Sequence, residues 1–143
     1  MTSDDSDYAL PQQATGEQLA TAGAGVAEDA AGSLRMAISN AMVGMKKQYY
    51  GKGPSRARTF FMDEYVFTAM EGGLTRNEET LLAAGKADLV RNYRLAFQES
   101  MTDTTTKAIE ELTGRKVLGY HSQIVFDPPR TFEIFVLDRP MGG

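Results

Sequence analysis

The stretch that decides the fold is residues 87–114, ADLVRNYRLAFQESMTDTTTKAIEELTG. Its apolar residues recur every three or four positions, the spacing that places side chains on one side of a helix. The residues on that side are Val90, Tyr93, Phe97, Met101, Thr105, Ala108 and Leu112. Gly114 can take the left-handed conformation that ends many helices. We therefore predict one long helix, about 40 Å at 1.5 Å per residue, that lies across a sheet.

Elements upstream of this helix follow from the same spacing and from turn residues. A first helix is predicted to begin near Ser33 and to end at Gly51. Residues 56–70 are rich in aromatic and β-branched side chains and predict two strands joined at a tight turn. Thr75 and Glu78 have the spacing of a capping box, which begins a short helix.

Downstream of the long helix, residues 115–126 and 131–138 predict a second hairpin around residues 127–130. The fold class is therefore α+β, with the order α-β-β-α-α-β-β. Its four-stranded antiparallel sheet consists of two hairpins and packs with the long helix and the N-terminal helix. The last strand is apolar on both faces, although a sheet covered on one face should alternate apolar and polar residues. Either the helices divide between the faces or a second copy covers one of them, and the short helical layers favour a homodimer.

Composition sets the limits on domain number and function class. The chain has 143 residues, is 42% hydrophobic and contains no cysteine. This length predicts one core, and the lack of cysteine excludes disulfides, thiolate catalysis and Cys-ligated metals. No apolar run approaches the roughly 20 residues that span a bilayer, and the N-terminus is acidic where a secretory signal would be basic. We expect a cytoplasmic protein that reaches a membrane only through a partner.

Charge is unevenly distributed along the chain. Residues 1–33 contain six acidic side chains and no Lys or Arg. Such a segment, with few large apolar residues, cannot offset its own ordering entropy. We predict a flexible acidic tail over residues 1–31 and a single domain over residues 32–140. The tail either serves solubility or folds back over the basic residues described next.

A basic cluster beside two tyrosines supplies the candidate binding residues. The cluster consists of Lys46, Lys47, Lys52, Arg56 and Arg58, and the long helix adds two further candidates, Arg91 and Arg94. Basic side chains next to aromatic ones are typical of sites for an anion, a nucleic acid or an acidic partner. A solvated helix end would explain the same charges.

Catalytic and metal-binding patterns are missing from the sequence. His121 is its single histidine and has no second ligand at metal-binding spacing and no nucleophile in an elbow motif. We interpret His121 as a structural residue that can titrate near neutral pH. The sequence therefore predicts no catalytic residue, metal or cofactor, and we expect that the protein is not an enzyme.

Short motifs in a fixed order resemble one protein family. They are Tyr50-Gly51-Lys52-Gly53-Pro54, Gly73-Leu74-Thr75 with Glu78, Arg91 with Tyr93-Arg94, Ile109-Glu110-Glu111-Leu112-Thr113-Gly114 with Val117, and His121-Ser122. From residue 31 to residue 138, the sequence resembles the small bacterial family named after MpsC, the C component of a Na⁺-translocating membrane-potential-generating system and formerly a domain of unknown function. An acidic residue commonly follows the His-Ser pair in that family, whereas this chain has Gln123.

The resemblance implies an accessory or regulatory protein that works with membrane proteins moving Na⁺, with a link to bicarbonate supply, and it implies no catalytic residues. Two hypotheses follow for the function. In the first, the protein acts without catalysis, by protein–protein interaction with such a membrane system. In the second, it is a binding module for a small anion or a nucleic acid that uses the basic cluster.

Overall fold

The computed structural model describes residues 22–141. Within these residues the chain forms four helices and four strands, which confirms the α+β class. The elements are α1 Ala22–Tyr50, β1 Arg56–Met62, β2 Tyr65–Glu71, α2 Arg76–Ala83, α3 Ala87–Ser100, α4 Thr102–Thr113, β3 Val117–Phe126 and β4 Pro129–Leu137.

The sheet is antiparallel throughout and has the order β1-β2-β4-β3. Both predicted hairpins are present, and pairing between β2 and β4 joins them. The first hairpin turns at Asp63 and Glu64, as predicted, with Asp63 in the left-handed region at φ 54°. The second turn is tighter than predicted, because only Asp127 and Pro128 separate the two strands.

The long helix is divided at Met101, whose φ of −101° and ψ of 2° end α3 and begin α4. Polar side chains around this point bond to the backbone of the preceding turn. Ser100 Oγ donates to Ala96 O at 3.1 Å, and Thr102 Oγ1 donates to Gln98 O at 3.1 Å. Bonds of this kind bend helices, and the threonines that follow have weak helix propensity. Gly114 closes α4 in the left-handed conformation predicted for it, at φ 68°.

Helix α1 begins at Ala22, well before the predicted start at Ser33. Its first turns are rich in alanine, the residue with the highest helix propensity. Residues 28–30 are exposed. The tail predicted for residues 1–31 overlaps α1 over residues 22–31, and its remaining part lies outside the described residues.

The core lies between one face of the sheet and the helices. It contains Ile38, Met42, Ala57, Val66, Met70, Ile109, Phe135 and Leu137. Burial alternates along β4: Phe135 and Leu137 are buried, whereas Ile134 and Val136 are partly exposed. The helices of the described chain therefore cover one face. None of these helices is both long enough and apolar enough to cross a membrane.

Candidate functional site

A row of polar side chains crosses the covered face of the sheet. Thr59, Thr68, Glu133 and Ser122 are successive register partners on β1, β2, β4 and β3. Ser39 of α1 extends the row, with its Oγ 2.7 Å from Thr59 Oγ1, which is itself 3.0 Å from Thr68 Oγ1. The first three strand residues are fully buried. The centre of the core thus contains a chain of hydroxyls and a carboxylate.

The Glu133 carboxylate is fully buried and has four partners. Lys46 Nζ lies 3.1 Å from Oε2, Ser122 Oγ donates to Oε2 at 2.9 Å, and the Tyr120 hydroxyl donates to Oε1. Gln98 Nε2 donates to Oε2 at 3.3 Å. A buried charge is tolerated when it is paired and hydrogen-bonded in this way.

Tyr120 is held as a proton donor by its surroundings. Burial raises the pKa of its hydroxyl, and the charge of Glu133 raises this pKa further. The raised pKa keeps the phenol protonated at neutral pH, so that it can donate its hydrogen bond to Glu133.

A second buried ion pair joins α2 to α3. Arg94 Nε lies 2.6 Å from Glu78 Oε2 and Nη2 lies 2.5 Å from Oε1, while Nη2 also donates to Gly73 O at 3.1 Å. Their side chains are only 9% and 5% exposed. Burial alone would raise the pKa of Glu78, but hydrogen bonds from Arg94 and from the Thr75 backbone, together with the Arg94 charge, lower it.

Glu78 also belongs to the predicted capping box, which is confirmed. Its backbone N donates to Thr75 Oγ1 at 3.2 Å, and Thr75 N donates to Glu78 Oε1 at 2.9 Å. One carboxylate therefore caps α2 and pairs with α3. This double use fixes Arg94 in position.

Tyr50 lies between the two ion pairs. The Arg94 guanidinium carbon is 4.0 Å from the Tyr50 ring centroid, and Lys46 Nζ is 5.7 Å from it. The Phe97 ring packs against the same tyrosine, with 4.7 Å between centroids. Burial raises the pKa of Tyr50 to about 12. Its ring therefore offers a neutral, electron-rich face to both cations.

A cavity of about 180 Å³ opens beside these groups, between α1, α3 and the β3–β4 hairpin. Three cationic side chains line it: Lys46, Arg91 and Arg94. Leu95 and Ile124 add apolar surface to its wall. The cavity therefore combines positive charge with apolar surface.

The structure separates the seven predicted basic candidates into three groups. It brings Lys46, Arg91 and Arg94 together at the cavity. Lys47 and Lys52 are exposed elsewhere. Arg56 and Arg58 lie on β1 with Phe60. The guanidinium carbon of Arg58 is 4.9 Å from the centroid of the Phe60 ring.

His121 is exposed on β3 and has Ile134 as its register partner, which places it on the uncovered face. Across residues 22–141, no group of three His, Asp or Glu side chains lies close enough to hold a metal ion.

Sequence reasoning missed the fully buried carboxylate of Glu133. The sequence of β4 did contain a signal, because side chains alternate between the two faces of a strand. This alternation places the acidic residue Glu133 on the same face as the core residues Phe135 and Leu137. Strict period-two reading of that strand would have found it. Its contacts with Lys46 and Gln98 involve distant segments and left no local pattern.

The other face of the sheet carries a row of aromatic rings. Phe60 and Phe67 have centroids 6.0 Å apart, and Phe67 stacks on Phe132 at 5.9 Å. Tyr65 is exposed nearby, and Met62 is 68% exposed. The described helices leave this apolar face open. At one end of it, a register row carries alternating charges on Arg56, Glu71 and Arg130.

Comparison with known proteins identifies the family. Residues 30–139 match the family described as "Na+-translocating membrane potential-generating system (MpsC)". The chain belongs to the MpsC family. The resemblance seen in the sequence is thereby confirmed, and the match covers the polar row, the cavity and the open sheet face.

A curated relative of this MpsC-family chain is "Uncharacterized protein YrhF" of Bacillus subtilis (strain 168). The two are 27% identical over 97 residues, which are 66% of this chain and 80% of the relative. No solved structure matches the chain.

Proposed function

We propose that this protein is a non-enzymatic accessory subunit that acts by protein–protein contact, and that its open sheet face pairs with a second copy of the chain. The observation that carries the proposal is the aromatic row of Phe60, Phe67 and Phe132 on that face. Aromatic side chains dominate the energetics of protein interfaces because they bury a large area at small entropic cost.

The size of the face supports pairing between two copies. Four strands about 4.8 Å apart and seven residues long at about 3.3 Å each give a projected area of roughly 440 Å². Protruding side chains make the accessible area larger than this projection. Two such projections total about 880 Å², so the relief of the side chains and the rims of the two faces must add roughly 300 Å² to reach the range of small specific interfaces, which begins near 1,200 Å² in total.

The charges at the edge of the face support the same occupant. Arg56, Glu71 and Arg130 follow one another across three strands. A row that alternates in sign is complementary to a second copy when a two-fold axis offsets the two rows by one strand, so that each Glu71 faces an arginine of the other copy. A partner with a uniformly acidic or basic surface would meet at least one like charge there.

The family description supports a role for this dimer beside membrane proteins. We propose that it is a cytoplasmic accessory or regulatory part of a Na⁺-translocating, membrane-potential-generating system in bacteria. Contact with the membrane subunits of that system would hold it at the membrane periphery. The proposal assigns it no catalytic step.

Light scattering during size-exclusion chromatography tests the dimer. We expect the wild type to have twice its chain mass of 15.6 kDa. Phe67→Lys should give a folded monomer, since it places two charges at the centre of the pair. Leu89→Lys is the matched control, because Leu89 is an exposed apolar residue of α3, outside the sheet. A wild-type monomer at all concentrations, or a Phe67→Lys dimer, would refute this pairing.

Affinity capture from gently solubilised membranes tests the second part. Recovery of Na⁺-translocating subunits with the tagged wild type would support the accessory role. Recovery of nucleic acid alone would favour a nucleic-acid-binding module instead, and its binding should then weaken steeply with salt.

A further inference from the structure

Beyond its role as an interaction protein, we propose that the chain binds a small monocarboxylate with an apolar body in the cavity between α1, α3 and the β3–β4 hairpin. The ligand's carboxylate would lie against Arg91, Arg94 and Lys46, and its apolar part against Leu95 and Ile124.

The cavity wall carries the cations, while their carboxylate partners lie behind the wall, in direct contact with them. Lys46 and Arg94 line the cavity, whereas Glu133 and Glu78, which pair with them, do not. A ligand in the cavity therefore meets the positive end of each pair. Hydrogen bonds from charged donors to a carboxylate are shorter and stronger than bonds between neutral groups.

These cations retain unused donors. Arg94 has five N–H groups, and the two on Nη1 have no acceptor among the described residues. Lys46 has three N–H groups, and among the described residues its one anionic neighbour is Glu133. Both side chains are held in place by buried carboxylates, so ligand binding does not have to order them.

Arg91 supplies the adjustable part of the site. Its ion pair with Asp88 spans 3.1 Å, but the side chains are 47% and 95% exposed. Exposed pairs of this kind contribute little to stability, so Arg91 can turn from Asp88 to a ligand at small cost. Its planar guanidinium matches a carboxylate with two parallel hydrogen bonds.

Size and wall chemistry restrict the ligand class. A cavity of about 150 Å³ can hold benzene, so the 180 Å³ present here suits roughly six to nine non-hydrogen atoms. A nucleotide or a nucleic-acid strand is too large for it. Inorganic phosphate would leave Leu95, Ile124 and the Tyr50 ring facing water or empty space. A carboxylate attached to a small apolar group uses both kinds of wall.

The test is titration of the isotope-labelled full chain with benzoate, which has nine non-hydrogen atoms, followed by amide NMR shifts. Benzamide has the same shape without the charge, and inorganic phosphate has the charge without the apolar body. We expect saturable shifts around residues 94–98 and 122–124 with benzoate. Benzamide should bind at least tenfold more weakly, and phosphate should not displace benzoate at equal concentration.

Variants give the second arm of the test. Arg91→Gln should weaken benzoate binding about tenfold and keep the fold, because its ion pair is exposed. Arg76→Gln, an exposed arginine of α2 outside the cavity, should bind benzoate like the wild type. The monomeric Phe67→Lys variant should also bind it normally, which separates this proposal from the dimer.

Three results would overturn the carboxylate site. Equal binding of benzoate and benzamide would show an apolar site with no preference for charge. Binding of phosphate in preference to benzoate would show a site for inorganic anions. Absence of shifts at residues 94–98 and 122–124 up to millimolar benzoate would show a cleft that holds only water.

Discussion

Replacing Arg94 by methionine tests whether the Glu78–Arg94 pair is the main polar link between α2 and α3. The substitution keeps a long apolar side chain but removes the charge. It leaves Glu78, only 5% exposed, without its counter-ion, and Gly73 O without its donor. Removing one partner of a buried ion pair costs about 3–5 kcal/mol, because the remaining charge stays buried and unpaired.

That loss is large beside the total stability of a domain of this size, about 5–15 kcal/mol. The matched control is Arg91→Met on the same helix, whose exposed pair with Asp88 should contribute less than about 1 kcal/mol. The double variant Glu78→Gln/Arg94→Met should be more stable than Arg94→Met alone, because it carries no unpaired buried charge. Its glutamine oxygen can still accept the hydrogen bond from Thr75 N.

Chemical denaturation followed by circular dichroism measures the free energy of unfolding of the wild type, Arg94→Met, Arg91→Met and the double variant. The pH dependence gives an independent check, because the pKa of Glu78 in the folded chain lies below its ordinary value of 4.5. The stabilisation from this carboxylate is therefore present above pH 4.5 and is lost as the pH falls through the lower folded value. Glu78→Gln should lack this part of the acid slope. If Arg94→Met matched Arg91→Met in stability, the reasoning would be refuted.

Two further predictions concern the capping box and the buried phenol. Thr75→Ala should lower the free energy of unfolding by about 1 kcal/mol, because it removes the acceptor for Glu78 N. The control Thr80→Ala, at an exposed position of the same helix, should change this free energy by less than about 0.5 kcal/mol. Equal effects of the two substitutions in denaturant titrations would contradict the cap. Stability should also fall between pH 10 and pH 12, since tyrosine in the unfolded chain ionises near 10 and folded Tyr50 near 12. Thermal melts of Tyr50→Phe should show a shallower decline over this range than the wild type, and an unchanged slope would disprove the assignment.

The elements with local chemical causes could be predicted from the sequence. Thr75 and Glu78 predicted the start of α2, and Gly114 predicted the end of α4, because each depends on residues within one turn. The two hairpins followed from aromatic and β-branched runs between turn residues. The division at Met101 was not predicted, since a break of one residue leaves the apolar spacing nearly unchanged on both sides.

Strand order and the cavity depend on contacts between distant segments. Pairing of β2 with β4 joins residues that are 59 positions apart at Glu71 and Arg130 and 71 positions apart at Tyr65 and Val136, and nothing in either hairpin specifies it locally. The basic candidates were grouped by their closeness in sequence, but β1 carries Arg56 and Arg58 away from Lys46. Arg91 and Arg94 reach the cavity because α3 packs near the end of α1.

The alternation of β4 relates the two proposed surfaces. Phe132 and Ile134 lie on the open face, while Thr131 and Glu133 lie on the covered face, where Thr131 lines the cavity and Glu133 binds Lys46. A shift of one residue in the register of β4 would bury the aromatic side chains and bring Glu133 to the open face. Glu133 can be satisfied only in the observed register, because its partners Tyr120, Ser122, Gln98 and Lys46 all lie on the covered side. We infer that the buried carboxylate, together with the buried alternation of Phe135 and Leu137, specifies the register that exposes the aromatic row.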